Sequence, residues 1–305
     1  MIAFLLKRAG WFLVTIWIVY TLSFVLMRLV PGGPFDREKN IPDVIKRRIE
    51  AQFLLNEPIP VQYAADLWNK LHFDLGASYK LEDYTVAEVI AEGFPISASL
   101  GILGLFFALT LGLTAGVVSA IRRHGWLDTF FMTAATLGIA VPNFVVASVA
   151  ILLFVFWLDL FPAAGWGTLR QLILPALCLG APFAAYIARL TRTSMLEVLG
   201  QDYVRTAFAK GLRERRVVIR HALRGAILPV VSYLGPATAG ILTGSLVLEK
   251  IFRIPGIGSH FIEAALGRDY TLAMGMVLVY TVLLFAMNTL VDISYAFIDP
   301  RVKLR

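Results

Sequence analysis

Apolar residues along this chain do not alternate with polar ones at the period of an amphipathic helix or strand; they run together in long blocks. Six blocks are long enough to cross a bilayer, for which about 20 residues at 1.5 Å each span a core of roughly 30 Å. They are Ala9 to Met27, Ile96 to Ile121, Thr129 to Leu158, Leu172 to Ala188, Ala226 to Leu248 and Leu272 to Ile298. Only the last holds a charge, Asp292, near its end. The first block follows Lys7 and Arg8 but leads into Arg28-Leu29-Val30-Pro31-Gly32-Gly33 without a small-x-small cleavage signal, so it is expected to stay as an anchor. Pro142, Pro182 and Pro236 fall inside blocks, where each removes a backbone donor; kinks beside a pathway and packing irregularities are both open readings.

Between the first two blocks the pattern changes. Ile45, Ile49 and Phe53 recur at helical spacing, and after Pro58-Ile59-Pro60 a second amphipathic stretch runs through Tyr63, Leu67 and Leu71. This segment predicts a small helical cap. The expected organisation is an end and first span over residues 1–30, the helical segment over 31–95, a five-helix core over 96–298 with a long loop at 189–225, and a tail at 299–305. No internal repeat or low-complexity tract is evident.

Composition agrees with the blocks: of 305 residues 58% are hydrophobic and 16% charged, and mean hydropathy is +0.73. So much apolar surface excludes a soluble globular enzyme. The single cysteine, Cys178, excludes a disulfide framework and cysteine-rich metal sites, and its apolar surroundings mark a small core residue. A net charge of +7 would suggest nucleic acid in a soluble protein, but here the loops account for it. Those on the side of the N-terminus carry two basic residues (Lys7, Arg8), two (Arg122, Arg123), nine (Arg189 to Arg224) and three (Arg301, Lys303, Arg305), sixteen in all. The opposite short loops carry four: Arg170, Lys250, Arg253 and Arg268. Basic residues are retained in the cytoplasm, so both termini are expected there, and the segment after the first span outside.

The chemistry of an independent engine is missing. No GxxxxGK[ST] run offers a phosphate cradle. His72, His124, His221 and His260 are placed in loops or at helix ends, away from any buried nucleophile. Asp292 is the sole carboxylate within a block, where an ion-coupled carrier would need one near the midplane. A membrane enzyme and a self-sufficient secondary carrier are therefore both disfavoured, and no cofactor or metal is expected in this chain.

The informative loop contains QDYVRTAFAKGLRERRVVIRHALRGAILP. Asp202 is expected to cap a short helix from Tyr203 to Lys210, with Gly211 stopping it in the left-handed conformation. Tyr203, Val204, Ala207 and Phe208 share one face, and Ala207 and Ala209 are small enough for close approach; a surface rod with an apolar stripe suits a groove on a partner. Arg216, Arg220 and Arg224 follow at i, i+4 and i+8, a basic face that suits anionic lipid headgroups.

YVRTAFAKGL and RRVVIRHALR, with RLVPGGPF, FDLGASY, RRHGWLD, AVPNF, GSLVLEKIFRIPGIG, LGRDY and IDPR, resemble the dipeptide, oligopeptide and nickel permease family of ABC importers over the whole chain. Within it the chain is most similar to B-type permease subunits of oligopeptide importers. The resemblance implies an all-α integral membrane protein with six transmembrane helices in the type I ABC importer permease fold, in a bacterial inner membrane. It also implies a homologous second permease, two cytoplasmic ATPases that bind ATP and Mg, an extracytoplasmic peptide-binding protein, and peptide import. Dipeptide, glutathione or nickel transport is the alternative. The family's coupling loop reads Glu-Ala-Ala, three residues, then Gly; Arg205, Thr206, Ala207 and Gly211 occupy those positions, so the glutamate is replaced. The expected coupling residues are Asp202, Tyr203, Arg205, Thr206, Ala207, Phe208, Ala209 and Gly211. Asn143, Thr243, Ser245 and Asn288 are polar groups within spans that line a path or bond between helices. Glu249, Arg253, Pro255, Gly256 and Gly258 form a turn that by analogy meets the binding protein or the released peptide, or is simply a tight re-entry turn.

Overall fold

The computed structural model describes residues 2–29, 54–81, 83–242 and 246–298. Among these the only extended pairing is a single bridge between Ala77 and Thr85, and the rest is helix and turn. The helices are α1 (Ile2–Leu29), α2 (Ile59–Leu71), α3 (Val86–Ile121), α4 (Trp126–Ala140), α5 (Asn143–Ile151) and α6 (Leu169–Leu199), followed by α7 (Asp202–Ala209). Then come α8 (Glu214–Ala226), α9 (Leu228–Leu242), α10 (Leu246–Ile251), α11 (Ile257–Gly267) and α12 (Tyr270–Ile298). Four of these are long and apolar enough to cross a membrane, and two bent pairs, α4 with the segment Asn143–Trp157 and α8 with α9, bring the number to six if each pair is one span.

The third block is thus not one continuous helix but a bent pair, with the shape of a broken span or a re-entrant loop. Its halves meet at 114° because Val141 and Pro142 adopt extended conformations between them, as the residue before a proline prefers. Pro175 and Pro182, in contrast, run within α6 without ending it. The fourth block is longer than its apolar stretch: α6 continues to Leu199, so the first part of the loop at 189–225 is helix. Glu214–Ala226 is α-helical at its ends and π-wound over Val217–Ala222, and a second π-turn, Leu152–Trp157, closes α5. Arg216, Arg220 and Arg224 are all exposed. Pro58-Ile59-Pro60 starts α2, with proline in the first turn, where its missing donor costs nothing. The Ile45, Ile49 and Phe53 stretch lies outside the described residues. His221 and His260 lie within helices, α8 and α11.

The chain divides into two compact units, residues 1–95 with 256–283, and residues 96–255 with 284–305. In the first, Tyr20 and Phe24 of α1 pack with Tyr63 and Leu67 of α2 and with Met274, and Tyr20 donates a hydrogen bond to Asp66 at 2.8 Å. A second cluster joins Val86 and Val89 to Ile257, Ala264, Leu272 and Met276. Just before α12, Asp269 is fully buried. Asp269 caps the first turn of α12 by accepting from Leu272 N (3.0 Å), and it also accepts from Ser78 Oγ, Tyr79 N (3.1 Å) and Lys80 N (3.3 Å). One carboxylate therefore joins FDLGASY to LGRDY. Thr85 and Glu88 form a capping box at the start of α3.

In the second unit α6 is the central helix. It meets α3 along Gly104, Ala108, Gly112 and Gly116, one small residue per turn, which lets two backbones approach closely. A Cβ on Gly112 would lie 2.7 Å from Ala184 O, and one on Gly116 2.6 Å from Ala188 O. On its other side α6 packs Ala185 and Ala188 against Ala135 of α4. Cys178 is buried in the largest core cluster.

Candidate functional site

The loop after α6 folds back onto the helix that precedes it. Val204 and Ala207 of α7 are buried with Val217 against Val198, Leu199 and Leu212. Gly211 has φ +74, and the Gly211 and Leu212 amides donate to Phe208 O (2.9 Å) and Ala207 O (3.3 Å), closing the helix end as its glycine predicts. The start differs from expectation. The N-cap is Gln201, with no side-chain cap bond, and Asp202 occupies the first helical turn. There its charge faces the positive end of the helix dipole, and it forms an exposed 3.5 Å pair with Arg205.

The predicted apolar stripe is split. Val204 and Ala207 face their own chain, whereas Tyr203 and Phe208 are 49% and 45% exposed. Since each residue advances 100° around the helix, the face opposite Val204 and Ala207 carries Asp202, Arg205, Thr206 and Ala209, all exposed, with Tyr203 and Phe208 at its edges. Ala207 is therefore not available for close approach by another protein; its small size fits it against Val217 and Leu212. Tyr203 OH donates towards His221 O at 3.4 Å, and a Cβ on Gly225 would lie 3.1 Å from that hydroxyl.

A second feature is built on Arg192 of α6, ten residues before α7 begins. Asp128, in the first turn of α4, is 5% exposed and accepts from Arg192 Nε (2.7 Å) and Nη2 (2.8 Å), from His124 N (2.9 Å) and from Ser119 Oγ. This fork joins α3, α4 and α6 about two turns before α6 ends. It borders an open cleft of about 480 Å³ lined by Asp128, Thr129, Thr133, Thr136, Leu137 and Arg192. The three threonines form an exposed stripe on α4. Sequence reasoning missed both, although a threonine at every helical turn of an otherwise apolar span, and a carboxylate at its first turn, were the available signals.

Of the polar groups assigned to spans, Asn143 opens α5 and Asn288 lies on α12, both half-buried; Thr243 and Ser245 lie outside the described residues. In the turn after α10, Arg253 (φ +51) and Pro255 are exposed, while Gly256 and Gly258 are buried, Gly256 as the N-cap of α11. Glu249 is fully buried and accepts from Ser97 Oγ at 2.8 Å. Its carboxylate turns inward to Ser97 instead of meeting solvent. Among the described residues no group of three or more His, Cys, Asp or Glu side chains is placed to hold a metal ion.

Residues 108–304 match the family model described as binding-protein-dependent transport system inner membrane component. The chain is 44% identical over 304 residues to the dipeptide transport system permease protein DppB of Bacillus subtilis, covering 100% of this chain and 99% of that protein. It is 43% identical over 305 residues to the oligopeptide transport system permease protein OppB of Escherichia coli K12, covering 99% and 100%. The corresponding Haemophilus influenzae protein is 44% identical over 305 residues, with the same coverage. With its multi-pass helical fold and its whole-length similarity to these permeases, the chain belongs to the family of inner membrane components of binding-protein-dependent transport systems.

Proposed function

We propose that this chain is a permease subunit of an ATP-driven importer that moves peptides into the cell, and that partner chains supply the energy. The observation that carries the reading is α7: a helix of eight residues whose inner face is fixed to its own chain and whose outer face presents Asp202, Arg205, Thr206 and Ala209 between Tyr203 and Phe208. Such a rod suits a groove on a cytoplasmic ATPase. The basic residues of its loop support a cytoplasmic position for it and for both termini.

On this reading two ATPases carrying ATP and Mg close on nucleotide and draw α7 of this chain towards its counterpart in a homologous second permease. Because α7 is seated on α6, and α6 is forked to α3 and α4 through Arg192 and Asp128, the pull reaches three helices together. The pair then rocks between inward- and outward-open states, a rigid-body change that requires α7 to stay engaged in both. An extracytoplasmic binding protein delivers the cargo to the face that carries Arg253 and Pro255. The threonine stripe of α4, with Asn143 and Asn288, supplies hydroxyl and amide groups for a peptide backbone. Relatives named for dipeptides and for oligopeptides are equally similar, so the supported cargo class is peptides, with oligopeptides the reading from sequence motifs.

Everted and right-side-out vesicles from a strain lacking the chain test this. Restoring it together with its partners is expected to restore uptake of a radiolabelled peptide that depends on ATP at the cytoplasmic face. Uptake driven by an ion gradient without ATP overturns the reading.

A further inference from the structure

Beyond the coupling loop, the end of α1, α2 and the turn that follows it border a partly open cleft of about 120 Å³ whose lining includes Arg28, Asp66, Lys70 and Tyr79. Among the described lining residues the charges do not balance. Lys70, whose side chain is 7% exposed, is held to Asp66 at 3.2 Å and donates to Leu75 O at 2.8 Å. The other Asp66 oxygen takes the Tyr20 hydroxyl. That leaves Arg28, which donates from Nε to Gln62 Oε1 at 2.9 Å and lies 3.6 Å over the Phe24 ring, with Asp66 also lining the cleft but no direct ion pair among the described residues. Gln62 is itself committed through Nε2 to Leu55 O and Glu57 O, which fixes the guanidinium. Arg28 Nη1 is buried and has no hydrogen-bond partner. The nearby Asp74 does not compensate, since it bonds Gly76 N at 2.8 Å.

A buried cationic donor without an acceptor is costly, and structures retain one where an anion completes it. The geometry points to a carboxylate-binding site in this cleft, with one carboxylate oxygen on Arg28 Nη1. A carboxylate fits better than a phosphate for two reasons. The excess of one positive charge matches a monoanion, because Asp66 in the same wall repels a dianion. The volume admits a planar carboxyl group and one or two waters, each water taking about 30 Å³. Burial pushes the Tyr79 phenol upward from its ordinary value, so it lines the cleft as a neutral group. The carboxylate can come from a peptide terminus or from an acidic side chain of an extracytoplasmic protein. The site itself does not depend on which cargo the importer moves.

The test uses the full chain in lipid nanodiscs and ¹³C-acetate at constant ionic strength, with binding read from saturable broadening of the acetate resonance. Arg28→Gln is expected to raise the half-saturating concentration about tenfold or more, the loss of a charge-assisted bond, and Arg28→Lys to lie between. Ala65→Leu, which fills the cleft and keeps the charge, is expected to abolish broadening; it also covers the case in which Arg28→Gln does not fold. A tripeptide and its C-terminal amide separate the sources. Competition by the free acid alone assigns a peptide terminus, and competition by neither assigns a protein side chain. Equal acetate binding in the wild type, Arg28→Gln and Ala65→Leu, or equal displacement by both peptides, overturns the proposal.

Discussion

Replacing Arg192 by glutamine removes two bonds, of 2.7 and 2.8 Å, from Asp128 and leaves that carboxylate with Ser119 and the His124 amide as its donors. Breaking a buried ion pair from one side costs about 3–5 kcal/mol, because a buried charge is left uncompensated. Arg192 is a quarter exposed, so water screens part of the loss and the low end applies, about 3 kcal/mol. For a chain of 305 residues that corresponds to a fall in Tm of roughly 5 °C, measurable in detergent by fluorescence-monitored thermal unfolding. The decisive comparison is a double-mutant cycle with Asp128→Asn. If the fork is a coupled unit, the double variant is less destabilised than the two singles added together, by about 2 kcal/mol. Strict additivity would mean that the two side chains act independently and would remove the link from α6 to α4 through which, on the proposed mechanism, a pull on α7 is relayed.

Three further outcomes follow from the geometry. Gly112→Ala sets a methyl 2.7 Å from Ala184 O and 2.8 Å from Ile187 Cβ, so α3 and α6 must separate; a loss of about 1–3 kcal/mol is expected, read as a lower Tm. Asp269→Ala removes the acceptor shared by Ser78, Tyr79, Lys80 and Leu272, and hydrogen exchange at residues 78–81 is expected to accelerate while residues of α6 keep their protection. Ala207→Trp is expected to lower Tm, since its site is filled by Val217 and Leu212, whereas Ala209→Trp leaves Tm unchanged and abolishes ATP-driven uptake in vesicles.

The membrane class and four of the helical blocks were legible because twenty apolar residues in a row have few other uses, and Gly211 was legible because a glycine after a short helix marks a left-handed stop. What escaped depends on packing. Pro142 and Pro182 look alike in sequence, yet only Pro142 ends a helix: α6 is pinned between α3 and α4, which holds it continuous through Pro182. The run Gly104, Ala108, Gly112, Gly116 was readable as a contact face but is silent about its partner. Glu249 looked like a loop charge after an apolar block, and only its folded position beside Ser97 turns it inward. On α7 the apolar stripe suggested a face for a partner; the chain uses half of it, Val204 and Ala207, to seat the helix on α6. The outward face is therefore more polar than the stripe implied, with Arg205 where the family carries glutamate.

The most direct test of an importer driven through α7 is site-specific photocrosslinking in intact cells, with a benzoylphenylalanine placed at Ala209 or at Val204. A crosslinked adduct to a nucleotide-binding subunit from Ala209, present with and without trapped nucleotide, and none from Val204, is the expected result. Adducts from Val204 but not Ala209, or none to an ATPase from either position, would contradict the account.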